Sequence, residues 1–376
     1  MRLIILIPTY QRPAPLIWSL QSVIRQKLEK PTFATKILIL NNDPDYKNQV
    51  DQSVNQVLNN NPHHEFDIVE IIQGNTEIPP IKNIYGTLKA ITKNGDIAII
   101  HGDDDIMLPN SLLLRYNSAV ASKLHVFIGN CLWSCFFVKQ RAGIYLDTLK
   151  NPYESAKPYQ YNLPKSDEIT TYSLPFISVY TYKISDGFWS IFDLAIDWSD
   201  QLPYEPKIKY PFVPFYIGLA AYHANQLGVA NINMVIRGQF FSKRKLLPPL
   251  TVTEYANGGI ILLTGLAVLN NETLLNNPNF HLIRKNQREA TKKHVLQSFT
   301  RRDGLSIAQL LNLYRIAGSA FTIKDFTVSI ILKNCRQLFN NIFFTTNLKR
   351  WFVGWGKETS MQEFWYRWDE SNSKKN

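Results

Sequence analysis

The sequence predicts an α/β fold, with a mainly parallel central sheet flanked by helices and a helical C-terminal extension, on three observations. Predominantly apolar runs of strand length recur at residues 3–7, 36–40, 66–72 and 96–100. The stretches between them carry apolar residues at helical spacing. Strands apolar on both faces belong to sheets covered on both sides, as parallel strands joined by helices are. Third, three unusual polar clusters each follow an apolar run directly: Pro8-Thr9-Tyr10-Gln11-Arg12, Asn41-Asn42-Asp43 and His101-Gly102-Asp103-Asp104-Asp105. In open α/β sheets ligands bind beyond the carboxyl ends of the strands, so these clusters are expected to converge on one crevice.

Taken in order, Leu3-Ile4-Ile5-Leu6-Ile7 reads as a buried first strand, and Leu16, Leu20, Val23, Ile24 and Leu28 share one face of a following helix. The run at 36–40 ends in the turn-forming Asn41-Asn42-Asp43-Pro44-Asp45. Val50, Val54, Val57 and Leu58 mark the next helix, 66–72 the third strand, and Ile81, Ile84, Tyr85, Leu88 and Ile91 a third helical stripe. After the strand at 96–100, Pro109 opens a helix carrying Leu112, Leu113 and Tyr116, as proline does in a first turn. Residues 125–138 are rich in strand formers. Residues 151–211 turn to Pro, Tyr, Ser and Asp with little periodicity and read as loops and short strands, too aromatic to stay in water. A helix is expected over 215–227, closed by Gly228, then returning strands over 229–241. This divides the chain into a domain at 1–242, with a ligand-binding half at 1–140 and a second half at 141–242, and a mostly helical region at 243–376.

At 376 residues, 45% hydrophobic and 19% charged, the chain belongs with folded globular proteins. Its formal charge of +11 favours an anionic partner: nucleic acid, a nucleotide diphosphate or an anionic lipid surface. No nucleic-acid-binding motif accompanies the basic residues. Cys131, Cys135 and Cys335 form no disulfide framework and no metal-binding spacing, as in a reducing compartment. The first apolar run is too short for a secretory signal, and the longest, at 259–269, is too short to cross a membrane. The expected location is cytoplasmic.

Three adjacent carboxylates, Asp103, Asp104 and Asp105, repel one another at the end of a buried strand, and a divalent cation relieves that repulsion. Hard oxygen ligands suit magnesium or manganese. Side chains alternate along an extended segment, so Asp103 and Asp105 can face one side together. A cation held there would bridge a diphosphate and neutralise it as it leaves. The competing reading is an acidic turn capping the helix near Pro109.

The segment Leu3-Ile4-Ile5-Leu6-Ile7-Pro8-Thr9-Tyr10-Gln11-Arg12-Pro13, followed by Leu16, Leu20, Ser22, Val23 and Gln26, resembles the opening of the inverting family 2 glycosyltransferases of the GT-A fold. The segment from Asp96 through His101-Gly102-Asp103-Asp104-Asp105-Ile106 to Pro109-Asn110-Ser111-Leu112 is similar to that family's strand-to-DXD junction. Gly74-Asn75 and Lys82-Asn83, between the two, resemble its glycine-rich and Arg-Asn stretch. The likeness covers about the first 130 residues and fades beyond them. It implies a nucleoside diphosphate-sugar donor, a UDP-sugar among the candidates, and a manganese or magnesium ion. Pro8, Thr9 and Tyr10 would line the base and ribose. Asp103 would contact ribose or metal, Asp105 would be the main metal ligand with Asp104 beside them, and Lys82 or Arg12 would approach the diphosphate. The family's second strand ends in an Asp that reads the base. Here Asn41 or Asn42 stands in that place, where ordinary turn chemistry is the competing reading.

Inverting transfer needs a base for the acceptor hydroxyl. The resemblance places it in a Glu-Asp pair at the start of a helix, but Phe212-Val213-Pro214-Phe215-Tyr216-Ile217 contains no acid. Among the acids upstream, Asp197, beside Trp198, is the first choice, Asp193, after Phe192, the second, and Glu205 the third. The function expected is inverting transfer of a sugar to a carbohydrate or lipid-linked glycan acceptor, in polysaccharide or glycan biosynthesis. The alternative is a nucleotide-sugar-binding protein that has lost its base. A sugar nucleotidyltransferase would need a glycine-rich loop after the first strand, and Pro8-Thr9-Tyr10-Gln11-Arg12 has no glycine. In the C-terminal region, Lys349-Arg350-Trp351-Phe352, Trp355 and Trp365-Tyr366-Arg367-Trp368 suit either a peripheral membrane contact or a helix docked on the domain.

Overall fold

A computed structural model describes residues 1–26, 28, 33–138, 142–146, 159–164, 177–200, 213–237, 240–241 and 358–373. Strand β1 (Arg2–Thr9) lies between β2 (Ala34–Asn41) and β4 (Ile97–Ile100), with β3 (Ile68–Gln73) beyond β2, all four parallel. Leu3 to Ile7 and Ile37 to Leu40 are fully buried, since helices cover both faces of these strands. The register pairs Thr9 with Asn41 and Asn41 with Gln73. The carboxyl ends of three strands therefore finish in one row, and the turns after them share one edge of the sheet.

Helices α1 (Pro13–Ile24), α2 (Lys47–Asn59), α3 (Pro80–Ile91) and α4 (Ser111–Ala121) link these strands. Between β4 and α4 the two-residue β5 (Ile106–Met107) intervenes, so the fourth helix begins two residues after Pro109. Beyond α4 the sheet becomes mixed. Strand β6 (Val126–Val138) is antiparallel to β7 (Ala142–Leu146) and to β8 (Tyr180–Lys183), and β8 is in turn antiparallel to β4. Strand β9 (Leu227–Arg237) runs parallel to β6 and antiparallel to β5. The short β10 (Phe240–Phe241) also pairs with β6. Neighbouring residues of β8 point to opposite faces. Thr181 meets Arg115 of α4, whereas the Tyr182 hydroxyl meets that of Tyr85 on α3 at 2.7 Å.

Two further elements differ from the sequence reading. Residues 186–200, expected among loops and short strands, form α5 (Asp186–Asp200). Its buried Phe188, Ile191, Ala195 and Trp198 fall at helical spacing; the helix packs on α6 (Val213–His223), with Trp198 beside His223 and Phe188 against Tyr182 of β8. The helix expected to run to Leu227 ends at His223 instead. Asn225 takes the left-handed turn conformation, φ 54°, and Leu227 and Gly228 already belong to β9. A Cβ on Gly228 would stand 2.9 Å from Tyr161 and 3.0 Å from Phe127, so that glycine serves close strand packing and not helix termination.

The chain ends in β11 (Glu358–Ser360), paired with β7, and α7 (Met361–Ser373). Phe364, Trp365 and Trp368 are buried against Ile106, Leu108, Ile236 and Trp18. The Trp368 indole donates to the Met107 carbonyl at 3.1 Å, and Arg25 both pairs with Asp369 and lies over the Trp365 ring. These aromatics therefore dock on the domain. Residues 243–357, with Cys335 and the basic-aromatic stretch at 349–355, lie outside the described residues, as does Glu205.

Candidate functional site

The turn after β4 is tied to the turn after β1. Thr9 Oγ1 donates to Asp103 Oδ2 at 2.8 Å, and Arg12 Nη1 lies 2.9 Å from Asp104 Oδ2 and 3.5 Å from Asp103 Oδ1. Asp103 and Asp105 are buried and Asp104 is partly exposed. Burial, then the neighbouring Asp104 and Asp105 charges, push the Asp103 carboxyl well above its ordinary range, against the opposing pull of Arg12 and the Thr9 hydroxyl. Three carboxylates thus crowd the end of β4 with one guanidinium beside them, and such a donor set fits a divalent cation. Among the described residues no group of three or more His, Cys, Asp or Glu side chains converges as a complete cage. Magnesium-type sites built from one or two carboxylates plus substrate phosphates need no such cage.

The aspartate turn is also held from behind. Ser19 and Ser22 on α1, with Gln26 two residues past its end, form a polar stripe at spacings of three and four residues, facing the backbone of residues 102–112. Ser19 Oγ donates to the Gly102 carbonyl at 2.8 Å, and Ser22 Oγ accepts from the Met107 N–H at 2.9 Å. Gln26 Nε2 donates to the Leu108 carbonyl at 3.0 Å while its Oε1 accepts from the Leu112 N–H. On the far side, Ser178, in the single turn Ile177–Val179 before β8, donates to Asp105 Oδ2 and accepts from the Gly102 N–H. His101 is wholly buried; desolvation first and the Arg115 charge second bring its pKa down to about 3, so it is a neutral core residue.

The turns after β2 and β3 build the adjoining corner. Asn41 is fully buried: its amide nitrogen donates to Gln73 Oε1 at 3.2 Å and its oxygen accepts from the Asp43 N–H. Asn42 Oδ1 accepts from Asn83 Nδ2 on α3, next to Lys82. Gly74 lies so close that a Cβ there would stand 2.4 Å from Asn42 Oδ1 and 2.5 Å from Asn83 Nδ2. Gln11 is held at φ 56° while its amide donates to Asp43 Oδ2 at 2.7 Å. Strained backbone of this kind gathers at ligand clamps. Tyr10 is 55% exposed at the rim, beside the half-buried Pro8.

The structure therefore brings Pro8, Thr9, Tyr10, Arg12, Asn41, Asn42, Asp103, Asp104 and Asp105 to one edge of the sheet. Lys82 lies at its margin, 3.5 Å from Asp200. Asp193 and Asp197 stand exposed on α5. That helix starts at the opposite edge, where Asn94 contacts Asp186, and climbs so that Asp200 reaches α3. By helix rise, Asp197 stands about 4.5 Å and Asp193 about 10 Å below Asp200. Where the resemblance places the base, at the start of α6, Val213 and Pro214 are buried. Gln73 and Ser178 were missed by the sequence reading. Gln73 ends the third strand as Thr9 ends the first, so the same argument could have found it; nothing around Ser178 announced it.

No protein-family model and no curated protein matches the sequence. Solved structures do. A fragment of S. aureus TarS, 1–349, superposes with a TM-score of 0.53 at 11% identity, covering 92% of this chain and 93% of that one. The same fragment in complex with UDP-GlcNAc gives a TM-score of 0.50 at 14% identity, covering 85% and 80%. In complex with UDP it gives 0.50 at 11% identity, covering 96% of each. Likeness at such identities speaks to the fold: the chain has the mixed α/β architecture of TarS and the GT-A glycosyltransferases. Among the described residues no helix is long and apolar enough to cross a membrane.

Proposed function

We propose that the protein transfers a sugar from a nucleoside diphosphate donor to an acceptor hydroxyl, with inversion at the anomeric carbon. The observation that carries this reading is the meeting of Thr9, Arg12, Asp103 and Asp105 at the carboxyl edge of a GT-A-type sheet, beside the corner made by Asn41, Asn42, Gln73 and Asn83. The likeness to TarS, which was solved with UDP and with UDP-GlcNAc, supports a UDP-sugar as donor.

In this reading Asp103 and Asp105 would hold a manganese or magnesium ion, and its positive charge would favour departure of the diphosphate. Tyr10 and Pro8 flank the nucleoside, and the Asn42–Asn83 corner supplies amide groups that can both donate and accept to a base. Arg12, already at the carboxylates, and Lys82, at the margin, face the diphosphate. The acceptor oxygen bonds to the anomeric carbon as the bond from that carbon to the diphosphate breaks, and a carboxylate takes the hydroxyl proton. We assign that carboxylate to α5, Asp197 ahead of Asp193, because Asp197 stands nearer the crevice edge. The acceptor is a carbohydrate, free or lipid-linked, in glycan or polysaccharide synthesis.

One observation favours a second reading. The buried Val213 and Pro214 at the start of α6 leave no acid where the resemblance expects the base, as in a protein that binds a nucleotide sugar without transferring it. Calorimetric titration of UDP and GDP, with and without manganese, tests the donor site. Manganese-dependent binding lost in Asp105→Ala is expected, and no binding of either nucleotide would overturn both readings. Turnover of a UDP-sugar then separates them. Asp197→Asn should cost about 10²–10⁴-fold in kcat if it is the base, whereas binding without turnover in the unsubstituted protein supports the second reading.

A further inference from the structure

Ser178 lies 73 residues beyond Asp105 yet is 1% exposed and bonded at both ends of the aspartate turn. Its hydroxyl accepts from the Gly102 N–H at 2.7 Å and reaches Asp105 Oδ2 at 2.5 Å. A serine hydroxyl has one proton. With the Gly102 N–H donating to its oxygen, that proton points at the carboxylate. The turn closes through the Asp105 N–H donating to the Gly102 carbonyl at 3.2 Å. A Cβ on residue 102 would stand 2.8 Å from Asp105 Oδ2 and 3.2 Å from Ser178 Oγ, so the three groups leave one another little freedom.

The chemistry of this contact differs from that at the neighbouring aspartates. Arg12 meets Asp103 and Asp104 with a full positive charge, whereas Ser178 fixes Asp105 with a neutral donor. Orientation is imposed and the negative charge is kept, as a cation ligand requires. Ser178 also arrives from the turn leading into β8, which pairs with both β4 and β6. It therefore ties the aspartate turn to the second half of the sheet.

We infer that Ser178 is a positioning residue that presents the Asp105 carboxylate to a divalent cation; this rests on the function proposed above. Partners of this kind typically change metal affinity about 10–100-fold when removed. The test is manganese(II) titration of the full chain in saturating UDP, read by the electron paramagnetic resonance of free manganese, for the unsubstituted protein, Ser178→Ala and Ser178→Thr. Melting of each in the absence of metal and nucleotide is the control. Ser178→Ala should bind manganese about 10–100-fold more weakly, Ser178→Thr should restore it, and the metal-free melting should not follow the same order. Unchanged affinity in Ser178→Ala, or equal loss in both variants, would overturn the inference alone. Failure of the unsubstituted protein to bind manganese with UDP would overturn the proposed function and this inference together. Should Ser178→Ala not fold, Ser178→Cys, similar in size with a weaker donor, decides in its place: weaker manganese binding supports the inference and unchanged binding overturns it.

Discussion

At Gly74 a single methyl group would enter the corner where three chain segments meet. It would stand 2.4 Å from Asn42 Oδ1, 2.5 Å from Asn83 Nδ2 and 3.1 Å from the Asn41 carbonyl. Two of these are side-chain ends that can turn away, so the domain should survive Gly74→Ala, but the Asn42–Asn83 bond should not. The expected outcome is a UDP affinity lowered by roughly tenfold, about 1.4 kcal/mol, with a nearly unchanged denaturation midpoint; calorimetry beside urea unfolding checks it. A different residue-scale device closes the opposite edge of the sheet. Asp96 accepts from the Arg2 backbone and guanidinium and from the Lys93 N–H. Burial alone would raise its pKa, but the Arg2 and Lys93 bonds win and hold it below the ordinary 3.8. The stabilisation is therefore fully present above pH 3.8 and lost as pH falls through the lower folded value. The stability difference between the unsubstituted protein and Asp96→Asn should be flat above about pH 5 and shrink in acid. Residues such as Thr9 and Asp103 were legible in the sequence because each directly follows a buried strand. Ser178 was not, because its role comes from a contact 73 residues distant.

Helix α1 shows how an element can carry two messages. Leu16, Leu20 and Val23 face the sheet, and this stripe is what the sequence reading used. Ser19, Ser22 and, just past the end of the helix, Gln26 make a second stripe whose partners are backbone groups of residues 102–112, invisible to any helical-periodicity argument. Replacing Gln26 by Leu keeps its bulk but strands the Leu112 N–H in the interior and leaves the Leu108 carbonyl with the Ser111 N–H alone. An unsatisfied buried group costs about 1–3 kcal/mol, so Gln26→Leu should lower the unfolding free energy by about that much in a urea titration. An effect under about 0.5 kcal/mol, the range of ordinary surface changes, would show that the stripe is not needed to hold the turn. The same limit explains α5: its apolar spacing was present in the sequence, but Tyr, Pro and Ser on either side concealed it. Gly228 suggests a terminator for α6, whereas Asn225 makes the turn and the glycine serves strand packing.

At the scale of the whole molecule, the last described helix is seated on the first half of the sheet. Trp368 is fully buried and donates to the carbonyl of Met107, 261 residues earlier, and Asp369 pairs with Arg25 across 344 residues. The hydrophobic patch it completes, with Ile106, Leu108 and Ile236, lies directly behind the turn that carries Asp103 and Asp105. Sequence alone left these tryptophans divided between a membrane surface and the protein itself, since a basic, aromatic helix suits both. What separates the alternatives is which side chains are spent inside: Phe364, Trp365 and Trp368 are buried, while Tyr366 is 72% exposed. Trp368→Ala should therefore cost about 3–5 kcal/mol of unfolding free energy, the range for a buried tryptophan. Tyr366→Ala should stay within about 0.5 kcal/mol. Because Met107 sits between the tryptophan and the aspartate turn, Trp368→Ala should also weaken manganese-dependent UDP binding under conditions where the domain is still folded. Equal, small effects of both substitutions in urea unfolding would mean that α7 leaves the domain readily in solution, and the membrane-surface reading of this helix would then regain its ground.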